Sequence, residues 1–349
     1  MANSSTSNPI LCASFNQDNS CFAIGTRDGF RLFDANTGRL LYERDFLAIV
    51  GAGEQPSLSP RRLCLFNTTT GMALRELNFL TSIVSVHLNR KRLIVVLQEN
   101  TYIYDINSLA ILDTIDTVPN FKGLSAFSPS LDGCFLALPA NATKGSVLVY
   151  NVMDLQSHCE IDAHNSPLSA LALSSNGMYI ATASEQGTII RVHLIAEATK
   201  SYSFRRGTYP STIFSLSFGP ATELPDILAA TSSSGSLHVF SLGLAINQRS
   251  RRSNSFLGSF LPHSVSDSLD PAHHRILHNA VPAGIRSYAV IRKVEKVADR
   301  SPSGASVCRA TISLITYNGY FLEYILNINQ HGECSWNLER EFNLLTLLP

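Results

Sequence analysis

The chain has 349 residues with 27 basic and 27 acidic side chains, so its formal net charge is zero. A neutral chain has no global field to draw it onto nucleic acid or a membrane, which confines any attraction for an anion to local clusters. Hydrophobic residues make up 45% and charged residues 15%, a mixture that can fill a large core without disulfides or metals.

The opening MANSSTSNPILCASF is polar and lacks a basic segment leading into a long apolar run, so no secretory signal is expected. No stretch reaches the roughly 18 apolar residues that span a bilayer. Cys12, Cys21, Cys64, Cys134, Cys159, Cys308 and Cys334 are odd in number, scattered, and free of any C-x-x-C pair. That pattern argues against a disulfide framework and a zinc site alike, and no cofactor or metal is expected. The sequons at Asn3, Asn67 and Asn141 then read as chance matches in a soluble, cytosolic protein.

In chain order the apolar runs are short and strand-like: ILCASF, CFAIGT, RLIVVLQ, SVLVY, SALALS and TIIRVH. They are rich in Val, Ile, Leu, Phe and Tyr and are punctuated by Gly, Asn, Asp and Ser, which predicts an all-β chain. A phrase recurs within them, as RLFDANTG, RLCLFNTTTG, TYIYDINS, VLVYNVMD, TIIRVHLI, SLHVFSL and NGYFLEYIL. Its aligned positions are Phe33, Phe66, Tyr104, Tyr150, His193, Phe240 and Tyr324. The first five spacings are 33, 38, 46, 43 and 47 residues, centred on the roughly 40–45 residues of a WD-type blade. The last, 84 residues, holds one blade plus an insertion. Seven phrases predict a WD40-like seven-bladed β-propeller occupying residues 1–349 as one domain. The insertion falls at about 244–283, and a loop of that length in a compact domain is functional or disordered.

Between the fifth and sixth phrases stands Phe204-Arg205-Arg206-Gly207. Neighbouring side chains on extended backbone point to opposite sides, so Arg205 and Arg206 can serve two separate pockets. Each guanidinium offers fork-like donors matched to phosphate oxygens. Gly207 is expected to let the chain turn sharply into the next blade. Thr182, Ser184, Thr188, Thr231, Ser232 and Ser233 supply hydroxyls nearby, with His164 and His238 in the repeat register. Alternatively, the pair is simply two solvated arginines at a blade junction.

The segment FRRGT resembles the F/L-R-R-G signature of the PROPPINs, WD-repeat-like proteins that bind phosphatidylinositol 3-phosphate and 3,5-bisphosphate. SFNQDNSCFAIGTRDGFRLF, SPRRLCLFN, AHNSPLSALALS, ATASEQGTIIRVH and FRRGTYPSTIFSLSF extend the likeness in order over residues 10 to 243. The resemblance implies two lipid sites on the propeller rim. Arg205, His164, Thr182 and Ser184 would form the first, and Arg206, Thr212, Thr231, Ser233 and His238 the second. Pro210-Ser211 departs from the polar or basic residues expected there in many relatives. The resemblance also implies that the insertion corresponds to a membrane-holding loop in blade six.

That insertion carries an apolar wedge, Phe256, Leu257, Phe260 and Leu261, just after Arg249, Arg251 and Arg252. Full burial of each wedge side chain contributes about 1.5–3 kcal/mol, and each basic residue near an anionic surface adds roughly 1 kcal/mol. Weak contacts linked in one body gain from intramolecularity. Phosphate on Ser255, after Arg251-Arg252, would add negative charge beside the membrane and weaken the hold. His263, His273, His274 and His278 read as solvated loop histidines rather than a metal site or pH sensor.

Ser59-Pro60-Arg61-Arg62 resembles a family loop that docks the rod-shaped lipid-transfer protein of autophagy, which would make Pro60 and Arg61 a partner surface. An ordinary charged turn is the alternative. Gly51-Ala52-Gly53 lacks the third glycine and the following helix of a dinucleotide site, and no nucleophile elbow, zincin motif or phosphate loop is present. The expected function is therefore a phosphoinositide-binding autophagy adaptor with no catalytic residues and no nucleic-acid partner. Its address would be cytoplasmic, peripheral on preautophagosomal or endosomal and vacuolar membranes. A propeller that binds only proteins is the alternative.

Overall fold

The computed structural model describes residues 9–41, 46–53, 58–131, 133–199, 201–220, 227–242, 274–298, 306–329 and 332–346. Blade one is β1 (Ile10–Phe15), β2 (Cys21–Thr26), β3 (Gly29–Asp34) and β4 (Leu40–Leu41). Blade two shows three strands among the described residues: β5 (Leu47–Val50), β6 (Arg62–Asn67) and β7 (Met72–Asn78). Blade three is β8 (Ile83–Leu88), β9 (Arg92–Leu97), β10 (Asn100–Asp105) and β11 (Ile111–Asp116). Blade four is β12 (Ala126–Phe127), β13 (Phe135–Pro139), β14 (Gly145–Asn151) and β15 (Gln156–His164). Blade five is β16 (Leu168–Leu173), β17 (Tyr179–Ser184), β18 (Ile189–Leu194) and β19 (Ser201–Arg205). Blade six is β20 (Ile213–Phe218), β21 (Ile227–Ser232), β22 (Leu237–Ser241) and β23 (His274–Leu277). Blade seven is β24 (Ser287–Ala298), β25 (Ser306–Thr316), β26 (Tyr320–Ile328) and β27 (Cys334–Asn343).

The result is the seven-bladed all-β propeller that the repeat predicts. First strands lie against one another, β12 on β16, β16 on β20 and β20 on β24, and so surround the axis. Both faces of each blade are covered by neighbours, which is why middle strands read as near-continuous apolar runs. On β17, Ala181 and Ala183 pack with Phe218 and Phe240 of blade six, while Ile180 packs with Val147 and Ile161 of blade four. That parity decides which blade any side chain of the site can face.

All seven aligned positions fall on one strand type: β3, β6, β10, β14, β18, β22 and β26. In four of these, Phe66, Tyr104, Tyr150 and Tyr324 sit where the pairing with the outer strand shifts register. The phrase thus marks a β-bulge that bends the outer edge. Asp34, Asn67, Asp105 and Asn151 follow the aromatic position and accept backbone N–H groups two and three residues on. These Asx turns explain the polar half of the repeat. In Gly51-Ala52-Gly53 the first glycine serves a close backbone approach: a Cβ on Gly51 would lie 2.0 Å from the Leu58 carbonyl oxygen.

Every sheet is contiguous in sequence, so blades one and seven close the ring without exchanging a strand. Ile10 N–H donates to the Tyr317 carbonyl at 3.2 Å. Phe22 stacks on Phe33 and Phe321 with centroids 5.1 and 5.2 Å apart. Arg292 and Arg340 both reach the buried Glu323 carboxylate at 2.7 Å and also donate to the Ala35 carbonyl of blade one. Within the stretch expected as an insertion, 274–277 forms the outer strand of blade six, so part of it belongs to the blade itself.

Candidate functional site

Strand β19 ends at Arg205 with Arg206 next in the chain, and the pairing of β17, β18 and β19 sets the direction in which they leave it. Phe204 pairs with Ile190, and both pack toward blade six in the cluster containing Ile213 and Phe240. Arg205 pairs with Ile189 one position on and is exposed on the opposite face. Arg206 returns to the side of Phe204 and is only 8% exposed. The arginines therefore part, Arg205 with the face toward blade four and Arg206 toward blade six.

Arg206 is held by the backbone. Its Nε donates to the Gly187 carbonyl at 2.6 Å, and its Nη2 donates to the Tyr209 carbonyl. Gly187 has φ +60°, and a Cβ there would stand 1.7 Å from the Ser211 carbonyl oxygen, so only glycine lets this carbonyl reach Arg206. Burial lowers the guanidinium pKa from its ordinary value. Three of its five N–H donors remain beyond those two bonds. No carboxylate pairs with Arg205 or Arg206 among the described residues. Gly207 has no positive φ, and a Cβ there would meet nothing within 4 Å. The turn after the arginines therefore does not depend on glycine, contrary to the expectation from sequence.

On the blade-four face, His164 Nε2 lies 2.9 Å from Thr182 Oγ1, and both residues are buried. Burial, with the Arg191 charge beside it, lowers His164 to a pKa of about 4. Ser184 lies one row beyond Ala183, level with Arg205 across the sheet, and is 5% exposed. The structure thus joins His164 directly to Thr182 and sets Ser184 and Arg205 on the same face. Sequence reasoning missed Arg191 and His193 on this face. Arg191 donates to the Ala163 carbonyl. His193 is lowered to about 4 by burial and by Arg191, and its Nδ1 is buried without a partner. Their signal was there, since His193 alone among the aligned positions is not Phe or Tyr.

On the blade-six face, Thr212 N–H donates to Ser233 Oγ at 3.1 Å, and Ser233 Oγ lies 2.9 Å from Ser211 Oγ. His238 is 3% exposed, and its Nδ1 is 2.9 Å from His274 Nε2. Burial, followed by the charges of His274 and Arg206, lowers His238 to about 3. His274 is lowered to about 4, mainly by burial and then by Arg206. Its ring stacks 4.4 Å from that of Phe240, so it is a blade residue rather than a solvated loop histidine. His238 Nε2 is buried with no partner. Thr231 stands apart from this group. It pairs with Leu237 on the face toward blade seven, where its hydroxyl contacts Ser215 Oγ at 2.8 Å and donates to the Ser287 carbonyl.

Pro60 and Arg61 lie in the connection between β5 and β6. Their carbonyls accept from Ile83 N–H and Phe79 N–H at 2.8 and 2.9 Å, which ties this turn to the start of blade three. Arg61 is exposed. Phe256, Leu257, Phe260 and Leu261, with Arg249, Arg251, Arg252, Ser255, His263 and His273, lie outside the described residues.

Among the described residues, then, the seven-bladed propeller carries two adjacent arginines on opposite faces of one blade with no carboxylate paired to either. Comparison with known proteins supplies the family. The PROPPIN family model matches residues 9–265. Autophagy-related protein 18b of Arabidopsis thaliana is 70% identical over 99% of this chain and 99% of its own length. Among solved structures, Kluyveromyces lactis Hsv2 with complete loop 6CD has a TM-score of 0.72 at 18% identity, covering 96% of this chain and 99% of that one. KlAtg21, in its complex with the coiled-coil of AgAtg16, has a TM-score of 0.69 at 22% identity, with the same coverage. The chain belongs to the PROPPIN family, and its role lies in autophagy.

Proposed function

We propose that this chain is a non-catalytic, phosphoinositide-reading adaptor on the cytoplasmic side of autophagic or endosomal and vacuolar membranes. The observation that carries the reading is the parting of Arg205 and Arg206 across blade five with no carboxylate partner among the described residues. A buried cation without a counterion favours a phosphate that can take its remaining fork donors. Arg205 with Ser184, Thr182 and His164 would hold one 3-phosphorylated headgroup. Arg206 with Ser233, Thr212 and His238 would hold a second. Thr231 would act through blade packing rather than contact.

The insertion at about 244–283 would add Phe256, Leu257, Phe260 and Leu261 as a membrane grip. Pro60 and Arg61 would present a docking turn for the lipid-transfer rod protein. The KlAtg21 complex supports a coiled-coil partner as well. Flotation with liposomes carrying phosphatidylinositol 3-phosphate, the 3,5-bisphosphate or neither tests the lipid reading. Wild type floats with either phosphoinositide, and Arg205→Thr/Arg206→Thr, folded by circular dichroism, stays at the bottom. Folded wild type that floats with neither lipid would leave the protein-only scaffold.

A further inference from the structure

The connector from blade five to blade six, residues 206–212, is pinned at both ends. Arg206 N–H donates to the Thr188 carbonyl at 2.8 Å, and Ser211 N–H donates to the Gln186 carbonyl at 3.3 Å. Ser233 then fixes Ser211 and Thr212 through its hydroxyl. At the apex, Tyr209 is 83% exposed, and the residues on either side, Thr208 and Pro210, are exposed as well. Its carbonyl holds the Arg206 guanidinium, so the ring is placed by the same backbone that positions that arginine. A large ring on a tethered apex, next to two cations without carboxylate partners among the described residues, fits a surface that is apolar beneath and anionic on top. Tyrosine has this dual character, with an apolar body and a polar tip, and is enriched at membrane–water interfaces. The nearest acidic residue of the adjoining turn, Glu185, is held by Lys122 at 2.5 Å.

We propose that Tyr209 is an interfacial anchor: its ring enters the headgroup layer of an anionic bilayer between the two arginine sites and orients the propeller rim on the membrane. The inference rests on the phosphoinositide reading and adds to it a contact with the bilayer itself rather than with a headgroup. It also accounts for a single exposed aromatic side chain within a polar connector. Because only the carbonyl of Tyr209 engages Arg206, changing the side chain leaves the arginine's support in place.

The test compares wild type, Tyr209→Ser and Tyr209→Trp in two assays. One is calorimetry with soluble inositol 1,3-bisphosphate, and the other is sedimentation with vesicles containing phosphatidylinositol 3-phosphate. Tyr209→Ser should weaken vesicle binding about fivefold, as expected for partial burial of one aromatic ring, while leaving soluble headgroup binding unchanged. Tyr209→Trp should keep vesicle binding. Its added emission, over the background of Trp336 in wild type, should shift to the blue on vesicles and be quenched by lipids brominated high in the acyl chain. Vesicle binding of Tyr209→Ser equal to wild type, or unshifted emission from Tyr209→Trp, overturns the anchor and leaves the headgroup sites standing. Equal losses of headgroup and vesicle binding in Tyr209→Ser overturn it too, by making the side chain a support for Arg206. Wild type that binds neither probe overturns the lipid reading and the anchor together.

Discussion

Two junctions of this propeller each carry a pair of arginines, and the pairs live in opposite electrostatic settings. Between blades seven and one, Arg292 and Arg340 converge on Glu323, whose side chain is 6% exposed, and Ser313 Oγ donates to the same carboxylate at 3.1 Å. Their remaining donors go to backbone and Asn36 oxygens of blade one. At the end of blade five, Arg206 finds two carbonyls on the face toward blade six, Arg205 on the opposite face has no bonded partner among the described residues, and histidines held neutral stand close to Arg206. The first junction is saturated and locks the ring. The second is built with donors to spare. Arginine at a blade junction is therefore uninformative until its counterions are known.

The largest expected effect tests the lock. Glu323→Ala leaves two partly buried cations uncompensated and should cost about 3–5 kcal/mol in urea unfolding. A loss below about 1 kcal/mol would mean that the aromatic stack of Phe22, Phe33 and Phe321 closes the ring alone.

Acid should strike both faces of blade five. His164, His193, His238 and His274 have folded pKa values of about 3 to 4, well below the roughly 6.5 of an unfolded chain. Between these limits the unfolded state binds more protons, so stability falls as pH drops from about 6.5 toward 4. The expected loss at pH 5 is at least about 2 kcal/mol, roughly what one histidine so lowered contributes. Hydrogen exchange should quicken in blades four to six before blades seven and one. Uniform quickening around the ring would remove the distinction.

Gly187→Ala comes next. A Cβ at φ +60° pressed on the Ser211 carbonyl should cost about 2–3 kcal/mol by chemical denaturation. It should also displace the carbonyl that steers Arg206, and so weaken phosphoinositide binding. The matching substitution at Gly207, where a Cβ meets open space, should shift stability by less than about 0.5 kcal/mol. Smaller than the cost at Glu323 or Gly187 should be the stability change of Arg205→Thr/Arg206→Thr, about 1 kcal/mol or less by thermal melting, despite the expected loss of membrane binding.

Much of the fold was legible because short-range chemistry writes it. Alternating apolar runs, an aromatic residue at the outer-strand bulge and an Asp or Asn capping the following turn are local requirements, repeated in blades one to four. Blades five to seven replace the cap and keep only the aligned ring, which made their register harder to see. The sharpest misreading concerns His274. Its neighbours in sequence are polar and strand-poor, yet it completes the outer edge of blade six through pairing with Phe240, a partner 34 residues away.

The sequence by itself determined the class of fold, the count of blades and the adjacent arginines, since periodicity and composition depend on neighbours along the chain. Only the tertiary structure decided which face each residue serves. A one-residue step on a strand exchanges one neighbouring blade for the other, which sends Arg205 and Arg206 apart and turns Thr231 toward blade seven. Charge compensation was likewise invisible, because Glu323 meets Arg292 and Arg340 only once β24, β26 and β27 have assembled in blade seven. Whether an arginine is a lock or a lure depends on what other chain segments bring within a few ångströms of it.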